Sequence, residues 1–419
     1  MKILLYYPKP DVGEEYIKYP LGILYLASVL KKDHDVRFYD SNVDDNKIEN
    51  VINDFNPDVI GISFTTGSKK NAFNLANKFP EKYFIAGGFH PSCRPKECLD
   101  NGFNLVIRGD AELTLPKLVK LYEKDKSLGG IYEGERVKDL DSLPFPAREL
   151  IPKDYFKKYN QAAIIGSRGC YFKCKFCGSA KTGLRKRSPK NIISELETIT
   201  NYQPNQPIHF CDNIFTFDSE WVTKITQQIN RSELKIKYSV DSRVDLRDYG
   251  IFKKLKESGC DTASFGIEAG SQKILNNVGK NVTIEQIEKS VLTAKDAGLK
   301  VRTSWVVGLP GDYQEQLKSI DLMKRILPDQ VHVCLNTPYP GTIYGDNPKK
   351  YGINLKTNNW TEVFNNIYST GEFSKVIGFD YLSDKEIIEI ITKIKTEMNG
   401  LGIETRTFLD KKLMDIPYN

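Results

Sequence analysis

The chain has 419 residues, 40% of them hydrophobic and 27% charged, with a formal net charge of +6. That length supports two or three domains with cores of their own. The charge is small for the size, so the run at residues 181–190 reads as a solvated face rather than a nucleic-acid surface.

The opening run Met1-Lys2-Ile3-Leu4-Leu5-Tyr6-Tyr7-Pro8 stops at a proline. It reads as a first β-strand, too short for a signal-peptide core or a membrane span. No later stretch is long enough to cross a bilayer, and a cytoplasmic protein is expected. Further strands are predicted at 35–39, 59–64, 83–87 and 105–108. Helical patterns lie between and after them, at 21–31, 47–54, 69–78, 95–101 and 111–124. Short apolar strands alternating with amphipathic helices predict a parallel sheet wound on both faces. Five strands suit a flavodoxin-like order, which binds ligands beyond the carboxyl ends of its strands.

Those ends carry Tyr19-Pro20-Leu21-Gly22, Ser63-Phe64-Thr65-Thr66-Gly67, Gly87-Gly88-Phe89-His90-Pro91 and Arg108-Gly109-Asp110-Ala111-Glu112. Glycines there let a large flat ligand lie against bare backbone. Any one loop could be an ordinary turn. Four at one rim point to a ligand site, with Pro20, Leu21, Gly22, Ser63, Thr65, Thr66, Gly87, Gly88, Gly109 and Glu112 as candidate contacts.

From residue 162 the alternation resumes in longer units. Strands are predicted at 162–166, 208–211, 237–240, 262–267, 301–307 and 330–334, and helices at 189–200, 219–230, 248–257, 284–297 and 313–326. After the first strand come Cys170, Cys174 and Cys177, spaced by three residues and then two. Three soft thiolates at that spacing can hold one side of an iron–sulfur cubane and leave one corner open. A zinc site would need a nearby His or fourth Cys, and neither follows before His209. A disulfide needs a secretory context that the sequence does not signal. Cys93, Cys98, Cys211, Cys260 and Cys334 read as small buried hydrophobes, and His90 and His332 as structural. In residues 346–419 a helix is predicted at 383–399, with Ile387, Ile388, Ile390, Ile391 and Ile394 as its buried stripe. It is expected to pack over the mouth or edge of the preceding domain.

The rim loops and the junction Leu140-Asp141-Ser142-Leu143-Pro144-Phe145-Pro146-Ala147-Arg148 resemble the cobalamin-binding domain at the amino end of many radical S-adenosylmethionine (SAM) enzymes. Six β/α units headed by the cysteine loop resemble the radical SAM partial barrel. The resemblance spans residues 1–345. It implies a cobalamin-binding-like domain (1–140), a linker (141–160), a partial (β/α)6 barrel with a [4Fe-4S] cluster (161–345) and a small α-rich region (346–419) that supplies substrate contacts. It implies SAM contacts from Phe176 (adenine), Asp212 and Asn213 (the methionyl amino group), Ser239 and Arg243 (the carboxylate side), Glu268 (ribose) and Gly308, in the turn Gly308-Leu309-Pro310-Gly311 (adenine). Pro338-Tyr339-Pro340-Gly341-Thr342 also follows the family pattern. One departure stands out. The Asp-x-His-x-x-Gly motif that supplies cobalt's lower ligand is missing, and His34 in Asp33-His34-Asp35 precedes the second strand. Cobalamin is therefore expected without a histidine ligand, its lower face met by residues 64–67 or by water.

The implied activity is methylation of an unactivated carbon in a peptide, a protein residue or a small metabolite, through methylcobalamin and a 5′-deoxyadenosyl radical. An electron donor such as flavodoxin or ferredoxin is implied, and no nucleic acid. The resemblance names no catalytic residue. Open alternatives are a non-methylating cyclisation, rearrangement or oxidation, a first domain that no longer binds cobalamin, and a non-enzymatic iron–sulfur redox sensor.

Overall fold

The computed structural model describes residues 1–11, 19–245 and 248–410. Its described residues divide into two compact units, one from Met1 to Ala162 and one from Ala163 to Asp410. In the first, the elements run β1 (Lys2–Tyr7), α1 (Leu21–Leu30), β2 (Asp35–Asp40), α2 (Ile48–Phe55), β3 (Val59–Ser63), α3 (Lys69–Lys78), β4 (Tyr83–Gly87), α4 (Phe89–Cys93), α5 (Pro95–Leu99), β5 (Leu105–Arg108), α6 (Leu115–Lys124) and β6 (Gly130–Glu133). The sheet order is β2-β1-β3-β4-β5-β6, all in parallel. Alternation in the strands explains the two cores. Leu4, Tyr6, Ile60, Ile62 and Phe84 face one side, with Val51, Phe55 and Phe73 from α2 and α3. Ile3, Leu5, Ile85 and Ile107 face the other, with Ile23, Ala27 and Leu118 from α1 and α6.

Five strands were expected and six are present. The sixth is a four-residue edge strand whose burial alternates between partial and none, so it carries little apolar signal. The helix expected at 95–101 is α5, and a short helix that was not expected, α4, precedes it. Arg94 adopts extended φ and Pro95 opens the second, because a residue before proline avoids helical geometry. Around the expected linker, residues 140–142, 148–150 and 153–158 form 3-10 turns. Ala147 N donates to Leu24 O, and Ile151, Phe156 and Tyr159 pack with Leu24 and Val43.

The second unit runs β7 (Ala162–Ile164), β8 (Ser167–Arg168), β9 (Arg185–Lys186), α7 (Pro189–Tyr202), β10 (Ile208–Phe210), α8 (Ser219–Arg231), β11 (Tyr238–Ser242), α9 (Ile251–Glu257), β12 (Cys260–Glu268), α10 (Gln272–Asn277), α11 (Ile284–Asp296), β13 (Lys300–Val307), α12 (Tyr313–Ile326), β14 (Gln330–Leu335), α13 (Ile343–Asp346), β15 (Ile353–Leu355), α14 (Trp360–Phe364), β16 (Ile377–Phe379), α15 (Asp384–Gly400) and β17 (Glu404–Thr407). Ser188, Asp218, Thr283, Asp312 and Ser383 fix the starts of their helices by accepting backbone N–H groups. The curved sheet has the order β17-β14-β13-β12-β11-β10-β7, and β10 to β14 and β17 pair in parallel.

The carboxy-terminal segment thus adds a seventh strand to the six expected. β17 pairs along β14, from Gln330↔Glu404 to Val333↔Thr407. Helix α15 packs on α12 and β17 through Ile387, Ile390, Ile391 and Ile394. Ile388, expected in that stripe, is exposed, since it falls off the 3.6-residue face. Residues 411–419 of the expected third region lie outside the described residues. No helix among the described residues is long and apolar enough to cross a membrane.

Candidate functional site

The cysteine loop is closed at its base by β8 and β9, with Ser167 opposite Lys186 and Arg168 opposite Arg185. Gly169 heads it at φ +91°, where a Cβ would lie 2.0 Å from Gly183 O, so only glycine permits the closure. Inside the loop, Cys170 N donates to Thr182 Oγ1 (3.0 Å). Gly183 N donates to Cys170 O (3.2 Å), Lys181 N to Phe172 O (2.9 Å) and Cys177 N to Cys174 O (3.2 Å). Cys170 and Cys174 are buried and Cys177 is partly so.

Burial pushes the Cys170 and Cys177 thiols up, and the charge of Cys174 pushes both further, while Arg243 and Lys280 pull Cys170 back. Arg243 Nη1 lies 3.8 Å from Cys174 Sγ. Three neighbouring soft donors beside a fixed cation suit an iron–sulfur cluster, because a bound metal deprotonates its thiols and the cation favours thiolate. Among the described residues, no group of three His, Cys, Asp or Glu side chains is placed to hold a single metal ion. A cubane asks for a different spacing, with each thiolate on its own iron.

The strand ends around this loop hold the remaining candidates. Asp212 is buried at the end of β10. Its Oδ2 accepts from Gly166 N (2.9 Å) and its Oδ1 from Ser167 Oγ (2.5 Å). Burial pushes it up to about 6 against those hydrogen bonds. Asn213 beside it is exposed, and Phe176 is partly buried. Arg243 forks onto Asp245 (2.9 and 3.2 Å), donates to Lys280 O (2.7 Å) and covers the Phe172 ring at 3.5 Å. Glu268 lies at a β-bulge with φ +73° and pairs with Lys280 at 2.8 Å; a left-handed glutamate is a strained one. Gly308 is explained by the Phe379 ring, 2.9 Å from where a Cβ would stand. Its carbonyl accepts from Asn336 Nδ2 and Tyr381 Oη, both at 2.9 Å.

Phe265 meets Phe252 of α9, so Ser264 and Gly266 face away from the helices. On the corresponding side of β10 and β11, Ser239 Oγ bonds His209 Nδ1 (2.9 Å), and His209 Nε2 lies 3.3 Å from Asp241 Oδ2. Cys98 and Cys260 are buried as expected, but Cys211 and Cys334 are exposed. They stand opposite the helix-facing Phe210 and Val333, in the concave interior of the sheet. Protein around the Cys334 thiol raises it to about 11, and burial with Arg302 and Arg406 lowers His332 to about 4. A cavity of about 430 Å³ opens beside Arg243, between Tyr171, Phe172, Phe217 and Asp248.

In the first unit the four rim loops share one sheet edge. A Cβ at Gly22, Gly87 or Gly109 would meet nothing within 4 Å; the backbone there borders open space that a ligand can fill. Gly88 differs. Its φ of +96° is shared in kind by Gly109 at +80°, but a Cβ here would stand 2.9 Å from Phe64 N and O, so this glycine serves the contact between two loops. Phe64 N donates to Gly87 O and His90 N to Phe64 O. Pro20, Leu21, Thr66 and Glu112 are buried, Ser63 is partly buried and Thr65 is exposed. The Thr66 hydroxyl bonds His90 Nδ1 (3.1 Å). His90 Nε2 lies 3.3 Å from Glu97 Oε2, and Glu97 accepts from Lys69 (2.5 Å). His90 and Lys69 hold the Glu97 carboxyl at about 2 although burial opposes it. His34 lies before β2, at the sheet edge opposite the rim.

The family model of the Radical SAM superfamily matches residues 164–323, and that of the B12 binding domain matches residues 15–119. An uncharacterized methyltransferase of Pyrococcus horikoshii is 32% identical over 377 residues, which cover 82% of each chain. The chain belongs to the radical SAM superfamily, among its members with a B12-binding domain. This radical SAM protein is therefore an enzyme, and its membership implies SAM, a [4Fe-4S] cluster and cobalamin. The anaerobic magnesium-protoporphyrin IX monomethyl ester cyclase of Rubrivivax gelatinosus is 24% identical over 380 residues, covering 81% of this chain and 68% of that one. The radical SAM methyltransferase TsrM from Kitasatospora setae, solved with cobalamin and a [4Fe-4S] cluster, shares the fold. Its TM-score is 0.73 at 12% identity, over 94% of this chain and 88% of that one.

Several residues of this radical SAM enzyme's site gave no sequence signal. Lys280, Asp245 and Glu97 are isolated charges in loops or short helices, and only the fold brings them to Glu268, Arg243 and His90. His209 was legible as part of the strand end, but its partners on the next strand were not.

Proposed function

We propose that this enzyme is a cobalamin-dependent C-methyltransferase acting on an unactivated carbon of a small molecule or peptide. The carrying observation is the pairing, in one chain, of a three-thiol loop beside a fixed cation with a rim whose glycines border open space. Cys170, Cys174 and Cys177 would hold the cluster. Gly22, Gly87 and Gly109, with Ser63 and Thr65, would hold cobalamin. When bound, the cluster with SAM supplies a hydrogen-abstracting carbon radical, and cobalamin supplies the methyl carrier.

The chain's own residues bind and orient. Asp212 clamps the turn between β7 and β8 that leads into the cysteine loop. Arg243 keeps a positive charge at Cys174 Sγ. Lys280 holds the Glu268 carboxylate in place, and Glu268 would bind the ribose of SAM. The contact of His209 Nε2 with Asp241 suits a proton on Nε2, which leaves Nδ1 to accept from the Ser239 hydroxyl. In the first unit the His90 ring is buried, its Nδ1 bonded to the Thr66 hydroxyl and its Nε2 3.3 Å from Glu97 Oε2. That supports a cobalt without a histidine ligand. Small-molecule substrates are supported by TsrM, solved with tryptophan bound and a TM-score of 0.72.

The test is anaerobic reconstitution. We expect about four irons and four sulfides per chain, lost in C174A, and hydroxocobalamin retained through desalting. SAM carrying a deuterated methyl should yield 5′-deoxyadenosine and a labelled product. A preparation without iron and sulfide, or one filled tightly by zinc, refutes the reading. The cyclase relative favours a second reading without methylation; 5′-deoxyadenosine formed with no label in the product would select it.

A further inference from the structure

We propose that the basic face around the cysteine loop is the docking surface for an acidic one-electron carrier protein. The proposal rests on the reading that Cys170, Cys174 and Cys177 hold the cluster. Residues 167–190 contain eight Lys or Arg and no Asp or Glu, in a chain whose net charge is only +6. Part of that charge is spent internally, since Arg187 is buried against Glu195 and Lys186 pairs with Asp218 at 2.5 Å. The rest faces out. Lys173 and Lys181 are exposed and lie close together, because Lys181 N donates to Phe172 O. Lys175 Nζ bonds Asn277 O (2.6 Å) and sits 5.5 Å from the Tyr351 ring centroid. Lys350 Nζ lies 5.9 Å from the same centroid, on the other branch of the face, with Lys349 exposed beside it. Asp346 is the one carboxylate in residues 341–351, and it accepts from Gly341 N.

Five lysines therefore cover the loop that carries the thiols, where Cys177 comes partway to solvent. An electron reaches a protein-bound cluster most directly where its ligand loop meets solvent. A single-sign field there concentrates an oppositely charged partner and speeds encounter. The charge is centred on the redox loop itself, which favours an acidic carrier over a nucleic acid. In each encounter the reduced carrier loses one electron and the oxidised cluster gains it, and no bond or proton moves.

The experiment compares the reconstituted holoenzyme with K173E/K181E/K350E. Cluster bleaching is followed with reduced flavodoxin and, separately, with photoreduced 5-deazaflavin, a small reductant. At low ionic strength we expect the flavodoxin rate to fall about tenfold or more in the variant and its salt dependence to flatten. The deazaflavin rate and the iron and sulfide content should be unchanged. The neutral K173Q/K181Q/K350Q should lie between. Equal flavodoxin rates in variant and parent would overturn the proposal, as would equal losses with both reductants. So would loss of binding to a labelled single-stranded oligonucleotide with the flavodoxin rate intact. If the parent chain forms no cluster, it is the underlying cluster reading that has failed.

Discussion

Asp212 sits where a SAM contact is expected, yet both its oxygens are occupied by the turn ahead of the cysteine loop. Its folded pKa of about 6 lies above its ordinary value of 3.8, so folding favours the protonated form. The contribution is complete below pH 3.8 and is lost as pH rises through about 6, amounting to about 3 kcal/mol. Asp212→Asn carries no such titration. Its urea midpoint should gain on the parent's between pH 4.5 and 7.5, and a constant gap would show that the carboxylate is not buried as described. Arg243 makes a second case. Arg243→Gln removes charge-assisted bonds to Asp245 and should cost about 1.5–3 kcal/mol of apo stability. It should also lower iron retained after gel filtration. Arg243→Lys keeps the charge without the fork and should restore the iron more than the stability. Cysteine spacing announced the thiols, whereas the cation beside them became visible only once β11 was aligned with the loop.

At the level of elements, the rim glycines separate into two kinds that their letters do not distinguish. Gly88 is required by left-handed backbone and by the Phe64 peptide; Gly88→Ala should cost at least 1–2 kcal/mol, roughly the scale of backbone strain, and lower the melting temperature. Gly22 lies in the first turn of α1 with free space around it. Gly22→Ala should raise stability by about 0.5–1 kcal/mol through helix propensity, while its added methyl weakens hydroxocobalamin retention after desalting. A variant that is stabilised and still binds fully would place the ligand elsewhere. The strands and helices flanking these loops were legible because fully buried parallel strands are continuous apolar runs and their helices are amphipathic. β6 and β17 were not, since β6 leaves all four side chains at least partly exposed and β17 buries threonines in place of apolar residues.

For the whole molecule, two compact units predict two unfolding transitions, because separate cores need not melt together. Hydroxocobalamin should raise the midpoint of one and anaerobic cluster assembly the other, by ligand linkage. A single transition that both ligands shift alike would mean that the units are energetically one. Division into an amino-terminal doubly wound sheet and a barrel was readable from the change in repeat length near residue 162. The fate of residues 383–410 was not, because a helix with a buried stripe does not say which neighbour covers it.

Strand β17 has a consequence for how the chain is made. It pairs with β14, some seventy residues earlier in the chain, so the β14 edge stays unpaired until the ribosome has delivered residue 407. During that interval a nascent chain offers open backbone groups to any other strand. Translation that pauses within α15 should therefore raise the aggregated fraction, even where the finished enzyme is stable.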